Sequence, residues 1–211
     1  MDVVGRIDVI IEEHSLLKHP FYKEWSDGKL DCSSLAGYSK EYFQLVKAVP
    51  LFMVPIIQAA PESARRDLVE NQQEESDHIL PWIDFAGELG IAGDELACYE
   101  GLEKTRRAVS DLGGLMNAYD TGACAMYALE KEIPKISQTK LDGLAEFYGI
   151  TSKKATEYFK LHTEADIRHA ASWRRLLEQS NADPKVLVHV AEQSVRAQNL
   201  LLDSCYEEYC S

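Results

Sequence analysis

Residues 162–169 read HTEADIRH, and His162, Asp166 and His169 among them are side chains of the kind that ligate metal ions. In a helix, the i, i+4 and i+7 positions fall at roughly 0°, 40° and −20°, so all three point from one narrow stripe. Such a stripe is either a solvated polar face or an inward one that serves a ligand needing nitrogen and oxygen donors. Two other segments supply matching partners. In EESDH, Glu75 and His78 stand at i and i+3, with Glu74 as a competing carboxylate four residues before His78. In GACAMYALE, Glu130 ends an otherwise apolar stretch that reads as a buried helix, and a buried lone carboxylate needs a charge partner or a metal.

Together these make two acid-x-x-His pairs, Glu75/His78 and Asp166/His169, plus one further donor each from Glu130 and His162. Di-iron carboxylate proteins place two Glu-x-x-His motifs and two more glutamates inside a helical bundle. Here one pair begins with Asp and one single carboxylate is replaced by histidine. Three imidazoles and three carboxylates suit iron or manganese, and the carboxylates offset much of the charge of two divalent ions. His14, His19 and His189 have no comparable partners and read as surface or packing residues.

The elements that must position these residues read as helices throughout. An amphipathic start near 2–14 precedes a short helix stopped by Asp27-Gly28, and an apolar segment over 33–59 carries Pro50 and Pro55 as expected kinks. A helix from Pro61-Glu62 to the LGIAGD break follows, then segments near 94–110, 114–132, 140–148 and 151–180. The last helix opens at Asp183-Pro184, an N-cap followed by proline. Strand-like alternation and internal repeats are missing. The expectation is one all-α domain over 1–211, a bundle of about seven to eight helices.

Composition narrows the function classes. With 211 residues, 45% apolar and 27% charged, the chain suits a soluble globular protein able to bury a sizeable core. A net charge of −13 argues against nucleic acid and anionic membranes as partners. Five cysteines without a CxxC pair favour reduced thiols. No signal-peptide layout or apolar run near 18 residues is read, so the expected address is the cytoplasm. The expected partners are O2 and small molecules, and a homodimer is compatible with this reading.

The motifs resemble the haem-oxygenase-like di-metal oxidases. More narrowly, they resemble the group of the Chlamydia protein associating with death domains and its p-aminobenzoate-synthesising relatives. The resemblance covers most of the chain through LLKHPFYKEWSDGKL, HILPW, YALEKEIPKI and YFKLHTEADIRH. The first of these is shared with pyrroloquinoline-quinone synthase and thiaminase relatives; the six-donor set is the specific part. The resemblance implies two metal ions, Fe2+ and/or Mn2+, held by Glu75, His78, Glu130, His162, Asp166 and His169, with O2 and a reductant as co-substrates. Glu74 stays open as an alternative to Glu75, which is preferred because its i,i+3 spacing repeats Asp166/His169.

The resemblance also implies synthesis of p-aminobenzoate, a folate precursor, from a tyrosine of the chain itself. Tyr22 would be that tyrosine and Lys140 the amino donor, with Tyr38 and Tyr158 near the metals. Tyr158 lies one turn before His162, so spacing supports its place independently. Without the resemblance, Tyr22 reads as a core-edge residue and Lys140 as a surface lysine. Three alternatives stand beside this: oxidation of an external small molecule, thiaminase-type chemistry on a nucleophilic cysteine, and a protein-interaction module. Cys124 shares the apolar helix of Glu130 and reads as packing, and no segment resembles a dedicated interaction surface.

Overall fold

A computed structural model describes residues 2–210, and among these every regular element is helical. In chain order they are α1 (Val3–Glu13), a 3-10 turn (Leu16–Lys18), α2 (Pro20–Ser26), α3 (Cys32–Val46), α4 (Val49–Ala59), α5 (Glu62–Asp77) and α6 (Ile79–Glu88). They continue with α7 (Gly93–Cys98), α8 (Glu103–Leu115), α9 (Tyr119–Glu130), α10 (Ile133–Glu146), α11 (Lys153–Gln179) and α12 (Pro184–Tyr209). The segments outnumber the expected helices because several long ones are interrupted.

Local chemistry sets the boundaries. Asp2, Asp31, Ser152 and Asp183 each accept a hydrogen bond from a backbone N–H in the first turn they precede. Gly28, at φ 67°, lets the chain leave α2 in the left-handed conformation. Pro50 does not kink a helix as expected. The break falls at Lys47–Ala48, and Pro50 sits in the first turn of α4, where its missing N–H is not needed. Pro55 is the proline inside α4. The segment expected at 140–148 instead begins at Ile133, with Pro134 in its first turn.

Small residues let α9 run through the middle of the bundle. Gly122 to Glu130 are all buried, against α4 on one side and α11 and α12 on others. α11 touches α6, α9 and α10, whereas α12 closes the far side against α1, α3 and α8. One apolar cluster contains residues from almost every helix. Within Cys32–Ala59 an 18-residue window reaches a mean hydropathy of 1.4, enough by length and apolarity for a membrane span. Half of that window is buried, and Leu35, Tyr38 and Leu45 of α3 lie in the core.

Candidate metal centre

α11 turns its polar residues inward. His162, Asp166 and His169 are buried, as their spacing requires, while Ile167 between them is 61% exposed. This reverses the usual amphipathic order and carries a desolvation cost that some ligand or counter-charge must offset.

The partner donors come from a break that was read as a continuous helix. Pro81 has no N–H for the Asp77 carbonyl, and its ring would collide with that carbonyl. Accordingly α5 ends at Asp77 and α6 starts at Ile79, leaving His78 as the link between them. From there His78 and Glu75 both face α11. Glu75 is buried, with its side chain 9% exposed, whereas Glu74 turns outward to Arg168 at 3.0 Å.

Glu75 is the centre of the arrangement. One group of donors is Glu75, His78 and His162, and a second is Glu75, Asp166 and His169; within each, the donor atoms lie within 4.8 Å of one another. Oε1 of Glu75 is 3.8 Å from His78 Nδ1 and 3.3 Å from His169 Nδ1, and Oε2 is 3.9 Å from His162 Nε2. Asp166 Oδ1 is 3.3 Å from His169 Nδ1. The carboxylate common to both groups is therefore Glu75. Glu130 lines the same cavity from the end of α9, where Trp173 Nε1 donates to its Oε2 at 2.6 Å. Outer contacts fix two imidazoles: His162 Nδ1 meets the Tyr158 carbonyl at 2.8 Å, and His169 Nε2 meets Glu74 at 2.8 Å.

Electrostatics ask for a cation here. Burial raises the Glu130 and Asp166 carboxyls above their ordinary range, and repulsion from Glu75 adds to it. Burial opposes ionisation of Glu75 too, but three imidazoles hold it well below the usual range. Burial likewise disfavours a charged His169, yet Asp166, Glu75 and Glu130 lift it to about 11. Glu75 Oε1, His78 Nδ1, Glu130 Oε1, both Asp166 oxygens and His169 Nδ1 have no hydrogen-bond partner. Unpaired buried polar atoms are rare in folded proteins. Six of them converging from three carboxylates and two imidazoles, with His162 Nε2 3.9 Å from Glu75, fit divalent metal ions in type and charge.

The remaining candidates form a second cluster. Tyr22 is 1% exposed and Lys140 2%, so neither the core-edge nor the surface reading holds. Gly143 lies so close to Trp25 that an added Cβ would stand 2.6 Å from the indole Cδ1. This approach presses α10 onto α2, where Trp25 Nε1 donates to the Lys140 carbonyl at 3.3 Å. Lys140 Nζ then donates to the Tyr38 hydroxyl at 2.6 Å, and Tyr38 and Tyr22 hydroxyls are 3.2 Å apart. With no carboxylate of the described residues against it, burial pulls the Lys140 amine down to about 7.

Aromatic rings connect the two clusters. Tyr158 stacks on His162 at 4.1 Å, Trp82 meets Tyr158 edge-on at 4.6 Å, and Tyr42 stacks on Trp82 at 4.9 Å. Tyr38 lies 5.3 Å from Tyr42, and Tyr22 6.4 Å from Tyr38. Sequence reading missed Tyr42, Trp82 and Trp173, although each sits four residues from a residue it had chosen: Tyr38, His78 and His169. The cavity beside Glu75, Glu130, His162 and Asp166 holds about 30 Å³ and is otherwise walled by Tyr42, Tyr158 and aliphatic side chains. Cys124 is a packing residue as read: it is buried, Sγ donates to the Leu187 carbonyl at 3.1 Å, and burial raises the thiol to about 12. His14 and His189 are exposed, while His19 caps α2 and pairs with Asp203 at 3.0 Å.

A helical bundle with a buried carboxylate–imidazole set defines the class of metal-dependent helical redox proteins. Residues 36–201 match the family of iron-containing redox enzymes, and the chain belongs to it. A Chlamydia muridarum protein named 4-aminobenzoate synthase is 32% identical over 202 residues, covering 92% of this chain and 86% of that protein. Among solved structures, a domain with a haem-oxygenase-like fold from Shewanella denitrificans superposes with a TM-score of 0.78 at 18% identity, covering 99% of this chain and 90% of that one. A CADD-like protein of unknown function from Nostoc punctiforme gives 0.75 at 18% identity, covering 99% and 97%. The fold is thus haem-oxygenase-like.

Proposed function

We propose that this chain makes 4-aminobenzoate, with Tyr22 supplying the aromatic ring and Lys140 the amine. The observation that carries this reading is the buried Tyr22–Tyr38–Lys140 chain of hydrogen bonds, joined through ring contacts to the six-donor cluster. The donors would be Glu75, His78, Glu130, His162, Asp166 and His169, holding two ions, either iron or manganese with iron. When bound, such ions supply reduction of O2 by an external reductant and the oxidising power that results.

The protein residues do the rest. Tyr158, Trp82 and Tyr42 offer electrons leaving Tyr38 or Tyr22 a continuous path of rings toward His162. A proton leaving Tyr22 has a route through the Tyr38 hydroxyl to Lys140 Nζ. With a pKa of about 7, Lys140 carries a free lone pair on a large fraction of molecules at neutral pH, which both proton acceptance and C–N bond formation require. The aromatic walls keep water from the oxidised ring.

An external aromatic substrate is the weaker reading because the cavity holds about 30 Å³, whereas benzene occupies an apolar cavity of roughly 150 Å³. Such a space suits O2 or water. The test is to load the purified chain anaerobically with Fe(II), or Mn(II) then Fe(II), add O2 and reductant, and assay 4-aminobenzoate. Wild type should yield product and Tyr22→Phe none. Full product from Tyr22→Phe would move the source of the ring outside the chain.

A further inference from the structure

We propose that the groove between α5 and α11 is an outer divalent-cation site, formed by Glu70, Asn71 and Glu74 beside His169, through which the buried donors are loaded. The inference rests on reading those buried donors as a metal centre. All six are 7% exposed or less, so a hydrated ion needs a polar route to reach them. The inner cavity offers none, since apart from the donors and two tyrosines its walls are aliphatic.

On the other side of His169 lies a cavity of about 160 Å³ lined by Glu70, Asn71, Glu74, Arg168 and His169 among others. By the volume each water needs, it has room for an ion with part of its hydration shell. His169 is the shared wall. Its Nδ1 is 3.3 Å from Glu75 and Asp166 inside, and its Nε2 is 2.8 Å from Glu74 outside.

Asn71 is the observation that points to a ligand. It is 6% exposed and lines the groove, and its Oδ1 has no hydrogen-bond partner. A carbonyl oxygen accepts only, so it is satisfied by a cation or by a proton donor that comes with one. Asn71 lies four residues before Glu75 and Glu70 four before Glu74, so each groove residue sits one turn along α5 from one of the two adjacent glutamates. Carboxylate and amide oxygens suit hard divalent ions, and a site that offers only a few of them leaves part of the ion's water in place. Adjacent Glu74 and Glu75 face outward and inward, which permits transfer by carboxylate rotation with no helix movement.

Arg168 closes the groove. Its guanidinium contacts both Glu74 oxygens, at 3.0 and 3.3 Å. It is 63% exposed, so the pair is worth little and opens readily when a cation competes for Glu74. A second exposed pair, Arg175–Asp67 at 3.7 Å, lies farther along the groove.

A loading site changes how fast ions come and go and leaves the affinity of the inner site unchanged, which a purely structural role would not do. The test is anaerobic stopped-flow uptake of Co(II), followed optically, with release driven by excess chelator. Glu70→Gln and Asn71→Ala should each slow uptake and release about tenfold, with two ions per chain and inner affinities as in wild type. Arg168→Ala should speed both several-fold. Wild-type rates in both Glu70→Gln and Asn71→Ala would overturn the groove while leaving the buried centre standing. Absence of Co(II) binding to wild type would overturn the metal-centre reading itself, and the groove with it. Glu70→Lys, which reverses charge at the helix surface, should slow uptake further, and an unchanged rate there counts against the site.

Discussion

Replacing Lys140 by methionine should stabilise the protein at neutral pH. The unfolded ammonium has a pKa near 10.5, and burial brings the folded amine to about 7. Between these values the unfolded chain binds the extra proton, so stability rises with pH across that window. At pH 7.5 the folded amine is mostly neutral, three units below its unfolded pKa. At 1.36 kcal/mol per unit, this costs about 4 kcal/mol; at pH 9.5 the cost is about 1 kcal/mol. Methionine removes that cost, forfeits the hydrogen bond to Tyr38, worth about 1 kcal/mol, and fills nearly the same volume. The expected gain is thus about 3 kcal/mol at pH 7.5 and near zero at pH 9.5, read from urea unfolding of metal-free protein. Five aromatic rings with centroids 4.7–6.0 Å from Nζ pull the other way by favouring the ammonium. Without a nearby carboxylate, desolvation should outweigh them. A Lys140→Met difference that is independent of pH, or a loss of stability at both values, would show the amine charged and remove its role as a nucleophile.

Other consequences follow from the same geometry. Trp173→Phe leaves Glu130 Oε2 buried without its donor, which should cost about 1–3 kcal/mol in urea unfolding of metal-free protein and less with metal bound. Gly143→Ala drives a methyl group into Trp25 and should move α10, lowering product yield while metal stoichiometry stays at two. Metal ions at a hundredfold excess over Kd should stabilise the fold by about 2.7 kcal/mol per site, seen as a concentration-dependent rise in Tm. Cys124→Ser should retain activity, since a thiol raised to about 12 is no nucleophile at neutral pH; loss of activity with metal still bound would revive the cysteine alternative.

The stripe on α11 was legible because helical spacing alone puts His162, Asp166 and His169 together, and α11 keeps that spacing without interruption. The same rule, carried one turn further, reaches Trp173. The split of the α5 segment was also written in the chain: Pro81 cannot donate to the Asp77 carbonyl and disfavours a helix running on through it. Lys140 was obscured by a misplaced boundary. Starting that helix at 140 leaves the lysine at an exposed end, whereas starting it at Ile133 puts Lys140 on the stripe of Ile133, Ile136 and Leu144. What no local pattern shows is the meeting of Tyr22, Tyr38 and Lys140. It depends on α2, α3 and α10 packing together, through contacts between residues more than a hundred positions apart such as Trp25–Lys140 and Tyr38–Lys140. The outer role of Glu74 was likewise hidden, because Glu74 and Glu75 are equivalent until burial separates them.

The central claim is that the chain is its own aromatic substrate. Protein grown with ring-13C tyrosine, purified, loaded with metal and exposed to O2 and reductant in unlabelled buffer provides the direct measurement by mass spectrometry. The account predicts 4-aminobenzoate carrying a fully labelled ring, no more than one equivalent per chain, and a matching loss of mass at Tyr22 with modification at Lys140. Unlabelled product, product in excess of the protein, or an intact Tyr22 peptide after product has formed would contradict it.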